Sequence, residues 1–295
     1  MILARPSDLL TVAHASGLQF VYADVTDAAR GLEASHLSGP VASLVLGEAL
    51  AGVALLGAEL DRPHETVTLR MCAAGPVQSV LVEAAQDGGL RGYTQVKIFD
   101  DLDGREDAGA AAGLGEQAQV QIVRSLPGRI VSHADLEVRP AEVRLALERY
   151  CAKNGQPLAR ACVLAGLYNN ALDMARGFLV RALPDADVEA FGRLAALFDD
   201  DTVAEELEAC ASLSELAETL GLAELKAGLV RPLHFACRCS RPRVMALLAA
   251  LSAGELEQMA QGAAPTAVHC HMCGKAYEVG AADMRRIMQQ RKGTV

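Results

Sequence analysis

Eight cysteines fall into two populations. Cys72, Cys151, Cys162 and Cys210 are scattered. Each sits in an apolar or helical context, such as Leu69-Arg70-Met71-Cys72, and reads as a small buried hydrophobe. The other four form two close pairs, Cys237-Arg238-Cys239 and Cys270-His271-Met272-Cys273. Two such pairs in a reducing compartment read first as a zinc site, because four thiolates fill the tetrahedral positions of a closed centre. One zinc per chain follows, with no open position for a catalytic water.

The second pair has the form of a knuckle: Gly274 lets the chain turn after Cys273, and Lys275-Ala276-Tyr277-Glu278-Val279 alternates like a strand. The first pair directs both sulfurs to one side only on an extended backbone, for which Leu233-His234-Phe235 is a fitting lead-in. His234, His269 and His271 flank the cluster as competing ligands. A disulfide-only role and a thioredoxin-type pair are the other readings. The first suits an oxidising compartment, and the second should open a helix after a strand.

Three regions must position these residues. Residues 1–184 mix strand and helix signals. Strands are expected over 18–25, 66–72, 77–84 and 90–99, and around Pro127-Gly128 over 118–124 and 129–133. Helices are expected over 28–36, 40–60 and 140–150. The stretch 40–58 is apolar enough to suggest a membrane span, but Glu48 and three glycines make a buried helix the better reading. Gly109 to Gly115 lacks the phosphate-loop spacing. Asp100-Asp101-Leu102-Asp103-Gly104 lacks that of a calcium loop and reads as a solvated acidic loop.

Residues 185–231 read as short amphipathic helices, with Val188, Phe191, Leu194 and Phe198 on one face and Ser212-Leu213-Ser214-Glu215 as a capping box. Arg193 and Lys226 fall in helices by the same reading. Between Asp185 and Lys226 stand twelve acidic side chains and these two basic ones, a balance of −10 that equals the net charge of the whole chain. Such helices are marginal alone and need an apolar surface to dock on. Residues 232–295 form the expected zinc domain, with helices after Ser240 and Ser252 and a closing helix over 281–290. The fold class is α+β: a mixed N-terminal domain with antiparallel sheet and a long buried helix, a helical linker and a small zinc domain.

Composition narrows the function. At 295 residues with 51% apolar and 22% charged, the chain is globular, and its acidity argues against nucleic acid as a partner. No apolar run of signal-peptide length follows Arg5-Pro6-Ser7-Asp8, so a cytoplasmic protein with no membrane partner is expected. No Ser/His/Asp arrangement is evident, and an enzyme is not expected.

The cysteine spacing resembles that of the redox-regulated holdase chaperones of the heat-shock protein 33 family. Phe235-Ala236-Cys237-Arg238-Cys239-Ser240-Arg241 and Cys270-His271-Met272-Cys273-Gly274-Lys275-Ala276-Tyr277 carry the likeness. So do Leu46-Gly47-Glu48-Ala49-Leu50-Ala51, Gly75-Pro76, Asp87-Gly88-Gly89-Leu90-Arg91-Gly92-Tyr93 and Gly177 to Pro184. Tyr150 to Gln156 and Asp100 to Gly115 depart from the pattern.

The resemblance implies an ATP-independent holdase, inactive when reduced and zinc-bound. Oxidation would pair Cys237 with Cys239 and Cys270 with Cys273, release zinc, open the linker and expose apolar surface to unfolding client proteins. It also implies a homodimer on oxidation and a monomer when reduced. Arg238, Arg241 and Arg243 crowd the first pair and would favour its thiolates. The alternatives are a constitutive zinc-stabilised binding module and a thiol-disulfide oxidoreductase.

Overall fold

A computed structural model describes residues 8–222, 225–262 and 264–292. Residues 1–7, on which the leader expectation rests, and Glu224 of the acidic region lie outside the described residues. The chain divides into two units, Met1–Ala236 and Cys237–Val295.

The first unit opens with strands β1 (Leu9–Ala15) and β2 (Leu18–Asp24) and helices α1 (Thr26–His36) and α2 (Pro40–Leu56). Strands β3 (Thr66–Ala73), β4 (Ser79–Ala85) and β5 (Gly89–Thr94) follow, then the short helix α3 (Ala110–Leu114). Next come β6 (Ala118–Leu126), β7 (Arg129–Val138), α4 (Val143–Lys153), β8 (Ala159–Tyr168) and β9 (Ala171–Ala182). Helices α5 (Val188–Asp199), α6 (Thr202–Ala209) and α7 (Leu213–Thr219) lead to β10 (Lys226–Pro232) and β11 (His234–Phe235). One sheet has the order β10-β1-β2-β9-β8 and is antiparallel; the other runs β11-β5-β4-β3-β6-β7, with only β11 and β5 parallel.

Helix α2 is the buried axis of this unit. Pro40 sits in its first turn, where the missing N–H costs nothing. Its glycines admit both sheets. Gly47 faces Ala165 and Ala175 of the first sheet, and Gly57, just past the helix, faces Ala84 of the second. The apolar stretch that resembled a membrane span is therefore core, with Leu50, Val53 and Leu55 fully buried. Strand alternation follows the period-two pattern. Val67, Leu69 and Met71 are fully buried, while Arg70 points outward.

A second apolar layer covers the other face of the first sheet. Phe20, Tyr22, Phe178 and Val180 pack there against Phe191, Leu194, Val203, Leu207, Leu213 and Leu216 of α5, α6 and α7. Phe178 stacks on Phe198 at 5.9 Å between ring centres. The acidic helices are thus docked through their apolar sides.

Several expectations are corrected. The strand expected to reach Phe99 stops at Thr94, because the chain leaves the sheet to close the start of α2: the Gly39 N–H donates to the Lys97 carbonyl. The acidic loop is not merely solvated. Asp103 accepts from the Val41 and Phe99 N–H groups, and Gly113 of α3 packs on Val41 and Val45. Lys226 begins a strand, not a helix. The helix expected from Pro140 starts at Val143. Strands β1 and β8 went unread in the sequence. The β8–β9 turn is Asn169-Asn170, both at positive φ, as a two-residue hairpin requires.

The second unit contains α8 (Arg241–Leu248), α9 (Ala253–Gln261), strands β12 (Thr266–His269) and β13 (Ala276–Val279) as an antiparallel pair, and α10 (Ala281–Lys292). Ser240 caps α8, and Ser252 with Glu255 forms a reciprocal capping box on α9. Its buried apolar side chains are Val244, Leu248, Leu256, Tyr277, Val279, Met284 and Ile287.

Glu48 of α2 lines a cavity of about 560 Å³ with Glu142, Glu148, Arg160, Cys162 and Val203. Burial first, and then Glu142, push its carboxyl up to about 8. A proton held in the folded but not the unfolded chain makes stability fall as pH rises from about 4.5 to about 8. Glu48→Gln is expected to remove that slope and to stabilise the protein by roughly 3 kcal/mol at neutral pH. Thermal unfolding between pH 6 and 8.5 checks this; parallel curves for the two proteins would contradict it.

Candidate metal centre

Two short segments bring the four paired cysteines together. Cys270 follows β12, and the knuckle closes through Cys273 N–H and Gly274 N–H donating to the Cys270 carbonyl, at 3.3 and 2.8 Å. The Cys270 N–H donates to the Lys275 carbonyl at 2.9 Å, and Gly274 takes φ 68°, the turn that glycine was expected to make. Cys237 and Cys239 lie on the irregular stretch between Ala236 and the Ser240 cap of α8.

The four sulfurs lie within 4.8 Å of one another. Cys237 and Cys270 are 3.7 Å apart, and Cys239 and Cys273 3.5 Å. All four are free thiols, far from the S–S bond length of about 2.05 Å. Zinc–sulfur bonds of about 2.3 Å span a tetrahedron whose edges are about 3.8 Å, so the donor set and its spacing suit an ion held by four thiolates. None of the three flanking histidines joins this group among the described residues, and His269 Nδ1 lies 3.4 Å from the Gly274 carbonyl. Cys273 is buried, and the other three are half-buried.

Sequence reasoning missed Tyr277. Its hydroxyl donates to Cys239 Sγ at 3.0 Å, its ring is buried in the small core, and Lys275 Nζ lies 5.5 Å from the ring centre. The Cys-x-x-Cys-Gly-x-x-Tyr spacing was on the page, but a strand tyrosine reads as packing until the other pair is placed beside it. Burial opposes ionisation of Cys239. The Tyr277 hydroxyl and then the facing thiols overcome it and bring Cys239 down to about 7. Burial pushes the Cys270 and Cys273 thiols up.

Two of the arginines act differently from the expectation. Arg241 ties to Asp283 at 2.7 Å and donates to the Glu278 carbonyl at 2.7 Å, and Arg243 donates to the Arg238 carbonyl at 2.6 Å. Arg241 and Arg243 thus hold the backbone of the unit. Cys239 is brought down by the Tyr277 hydroxyl together with the facing thiols.

The scattered cysteines divide by burial. Cys151, Cys162 and Cys210 are buried as expected, whereas Cys72 is exposed at the end of β3. Burial pushes Cys151 up to about 11 and Cys162 up to about 12, far from a reactive range.

Comparison with known proteins identifies the family. The profile of the Hsp33 protein family matches residues 9–280. This chain belongs to the Hsp33 family. A relative from Symbiobacterium thermophilum, named 33 kDa chaperonin, is 29% identical over 87% of this chain and 88% of its own length. One of the same name from Thermus thermophilus is 28% identical over 95% of this chain and 85% of its own. The crystal structure of the Hsp33 homologue of Thermotoga maritima, also a 33 kDa chaperonin by name, superposes with a TM-score of 0.85 at 20% identity. The match covers 97% of this chain and 99% of that one. The α+β fold is therefore that of Hsp33.

Tyr277→Phe keeps the ring and removes the donor. In metal-free reduced protein it is expected to raise the titration of the most acidic thiol, read by ultraviolet thiolate absorbance. An unchanged titration would show that the hydroxyl does not set it.

Proposed function

We propose that this Hsp33 family member is a redox-regulated, ATP-independent holdase whose reduced, zinc-bound form is inactive. The supporting observation is the convergence of Cys237, Cys239, Cys270 and Cys273 in a unit with little other core. Structural zinc supplies about 10–16 kcal/mol in finger-sized peptides, against a whole-domain margin of about 5–15 kcal/mol. A cytoplasmic setting keeps the four thiolates available as ligands.

Cys237 pairs with Cys239 and Cys270 with Cys273 on oxidation. Each pair forms one S–S bond and passes two electrons to a peroxide, whose O–O bond breaks to give water after proton uptake. The sulfurs then no longer ligate, and the small unit loses its main support. Sulfur spacing does not choose the pairing, since 237–270 and 239–273 are also close; the choice rests on the short loops within each motif. The Cys-x-Cys ring is small and strained, which favours ready re-reduction.

The chain itself carries the effect toward the linker. Cys237 follows Ala236, whose N–H donates to Leu90, and β11 holds only two residues in the second sheet. Before it, β10 is an edge strand whose side chains are exposed apart from half-buried Arg231. Unfolding beyond Cys237 leaves this edge to fray. Helices α5, α6 and α7 have 12, 8 and 7 residues, lengths that do not persist without docking. Their release uncovers Phe20, Tyr22, Phe178 and Val180 for an unfolding client. Dimerisation of the oxidised form belongs to the same reading.

Zinc analysis of the reduced protein and of the four single Cys→Ser variants tests the centre. One zinc per chain is expected, with loss in every variant; full retention in any variant removes that residue. Peptide mapping after peroxide should find the two within-motif disulfides, and a map of cross-pairs alone would contradict them. Aggregation suppression without ATP should appear only after oxidation. Constitutive suppression with zinc retained under oxidant would favour the binding module, and catalysed disulfide exchange the oxidoreductase.

A further inference from the structure

Arg176 and Tyr22 stand on the linker-covered face of the first sheet, beside residues that the apolar layer alone does not explain. Asp24 and Arg176 are direct cross-strand partners of β2 and β9, two residues along from Tyr22 and Phe178. Arg176 Nε donates to Asp24 Oδ2 at 3.0 Å, and these side chains are only 15% and 11% exposed. Arg176 Nη1 donates onward to the carbonyls of Glu208 at 2.9 Å and Leu207 at 3.3 Å. The Tyr22 hydroxyl donates to the Cys210 carbonyl at 3.3 Å.

These three carbonyls lie in the last turn of α6 and just after it, where a helix runs out of internal donors and carries the negative end of its dipole. A charged donor fork and a phenol meet that need directly. The sheet side is complete without the linker. Asp24 keeps Arg176, and its other oxygen accepts from the Thr26 N–H at 3.0 Å and the Thr26 hydroxyl at 2.6 Å. Undocking therefore strands no buried charge. It leaves two donors aimed outward, flanked by Phe20 and Phe178.

We propose that Arg176 and Tyr22 form a main-chain carbonyl site, filled by residues 207–210 of the linker in the closed state and by an apolar segment of an unfolded client in the open one. The linker bound there shows the ligand chemistry: peptide carbonyls without internal partners, carried next to apolar side chains. An unfolded chain presents the same groups whatever its sequence, so the site contributes affinity and direction while the aromatic surface supplies burial. The acidic helices and the client compete for the same donors. The client half of this proposal rests on the holdase reading.

Three variants test it: Tyr22→Phe, Arg176→Met, and Arg176→Met combined with Asp24→Asn, which removes the carboxylate left unpaired. In the reduced, zinc-loaded full-length proteins, amide exchange over residues 203–217 is expected to speed up by about fivefold, with β3 and β6 unchanged. In the oxidised proteins, affinity for reduced and amidomethylated α-lactalbumin, a permanently unfolded chain, is expected to fall by about threefold or more. Unchanged exchange in all three variants would overturn the site. Faster exchange with unaltered affinity would confine it to the linker and overturn the proposal as stated. If the oxidised wild type does not bind the unfolded probe, the holdase reading fails and the client half with it, and the exchange arm still decides whether the linker carbonyls are held there.

Discussion

A unit with seven buried apolar core side chains among its described residues and a cluster of four facing thiols cannot rest on apolar burial alone. A fully buried aliphatic or aromatic side chain contributes roughly 1.5–3 kcal/mol, and ordering each residue costs a comparable amount of entropy. On the reading proposed above, an ion joining the sulfurs supplies the support that apolar burial lacks. The rest of this unit is arranged around the cluster. The knuckle glycine, the Ser240 cap and the Arg241–Asp283 pair place the sulfurs, and the Tyr277 hydroxyl with the facing thiols brings Cys239 down to about 7.

The first unit depends on its own core in a different way. Helix α2 lies between two sheets, and most of its side chains are buried there. Helices α5, α6 and α7 are the exception. They bury one apolar side on the first sheet while turning their acidic residues to solvent. Their docking balances apolar contact against self-repulsion and short length. On the holdase reading proposed above, a surface covered by part of the same chain can be shown only on demand, because permanent exposure of such a patch invites aggregation.

Much of this was legible in the sequence, for identifiable reasons. The two cysteine pairs stood out because ligand chemistry depends on residue type and short spacing, and their four sulfurs do converge. The strand carrying Val67, Leu69 and Met71 followed from period-two alternation, and the helix from Pro40 from its apolar length. What stayed hidden was long-range. Strand β8 is only half alternating, since one side of it lies under the linker helices, and its Asn169-Asn170 turn was passed over. Lys226 continued a helical pattern locally, yet pairing of β10 with β1, more than two hundred residues away in sequence, overrode it. Tyr277, Arg176 and Asp103 act through partners on other elements, which a single sequence does not place. The arginines around Cys237 were read as charge for thiolates, when Arg241 and Arg243 serve backbone and carboxylate partners.

The central claim is that loss of the sulfur centre is what releases the linker. One oxidant time course tests it, with zinc release followed by a chromogenic chelator and amide exchange over residues 186–222 followed in the same samples. The account predicts that fast exchange in α5, α6 and α7 appears after zinc release and in proportion to it, while β3 and β6 stay protected. Full release of zinc with the linker still protected, or an opened linker with zinc still bound, would contradict it.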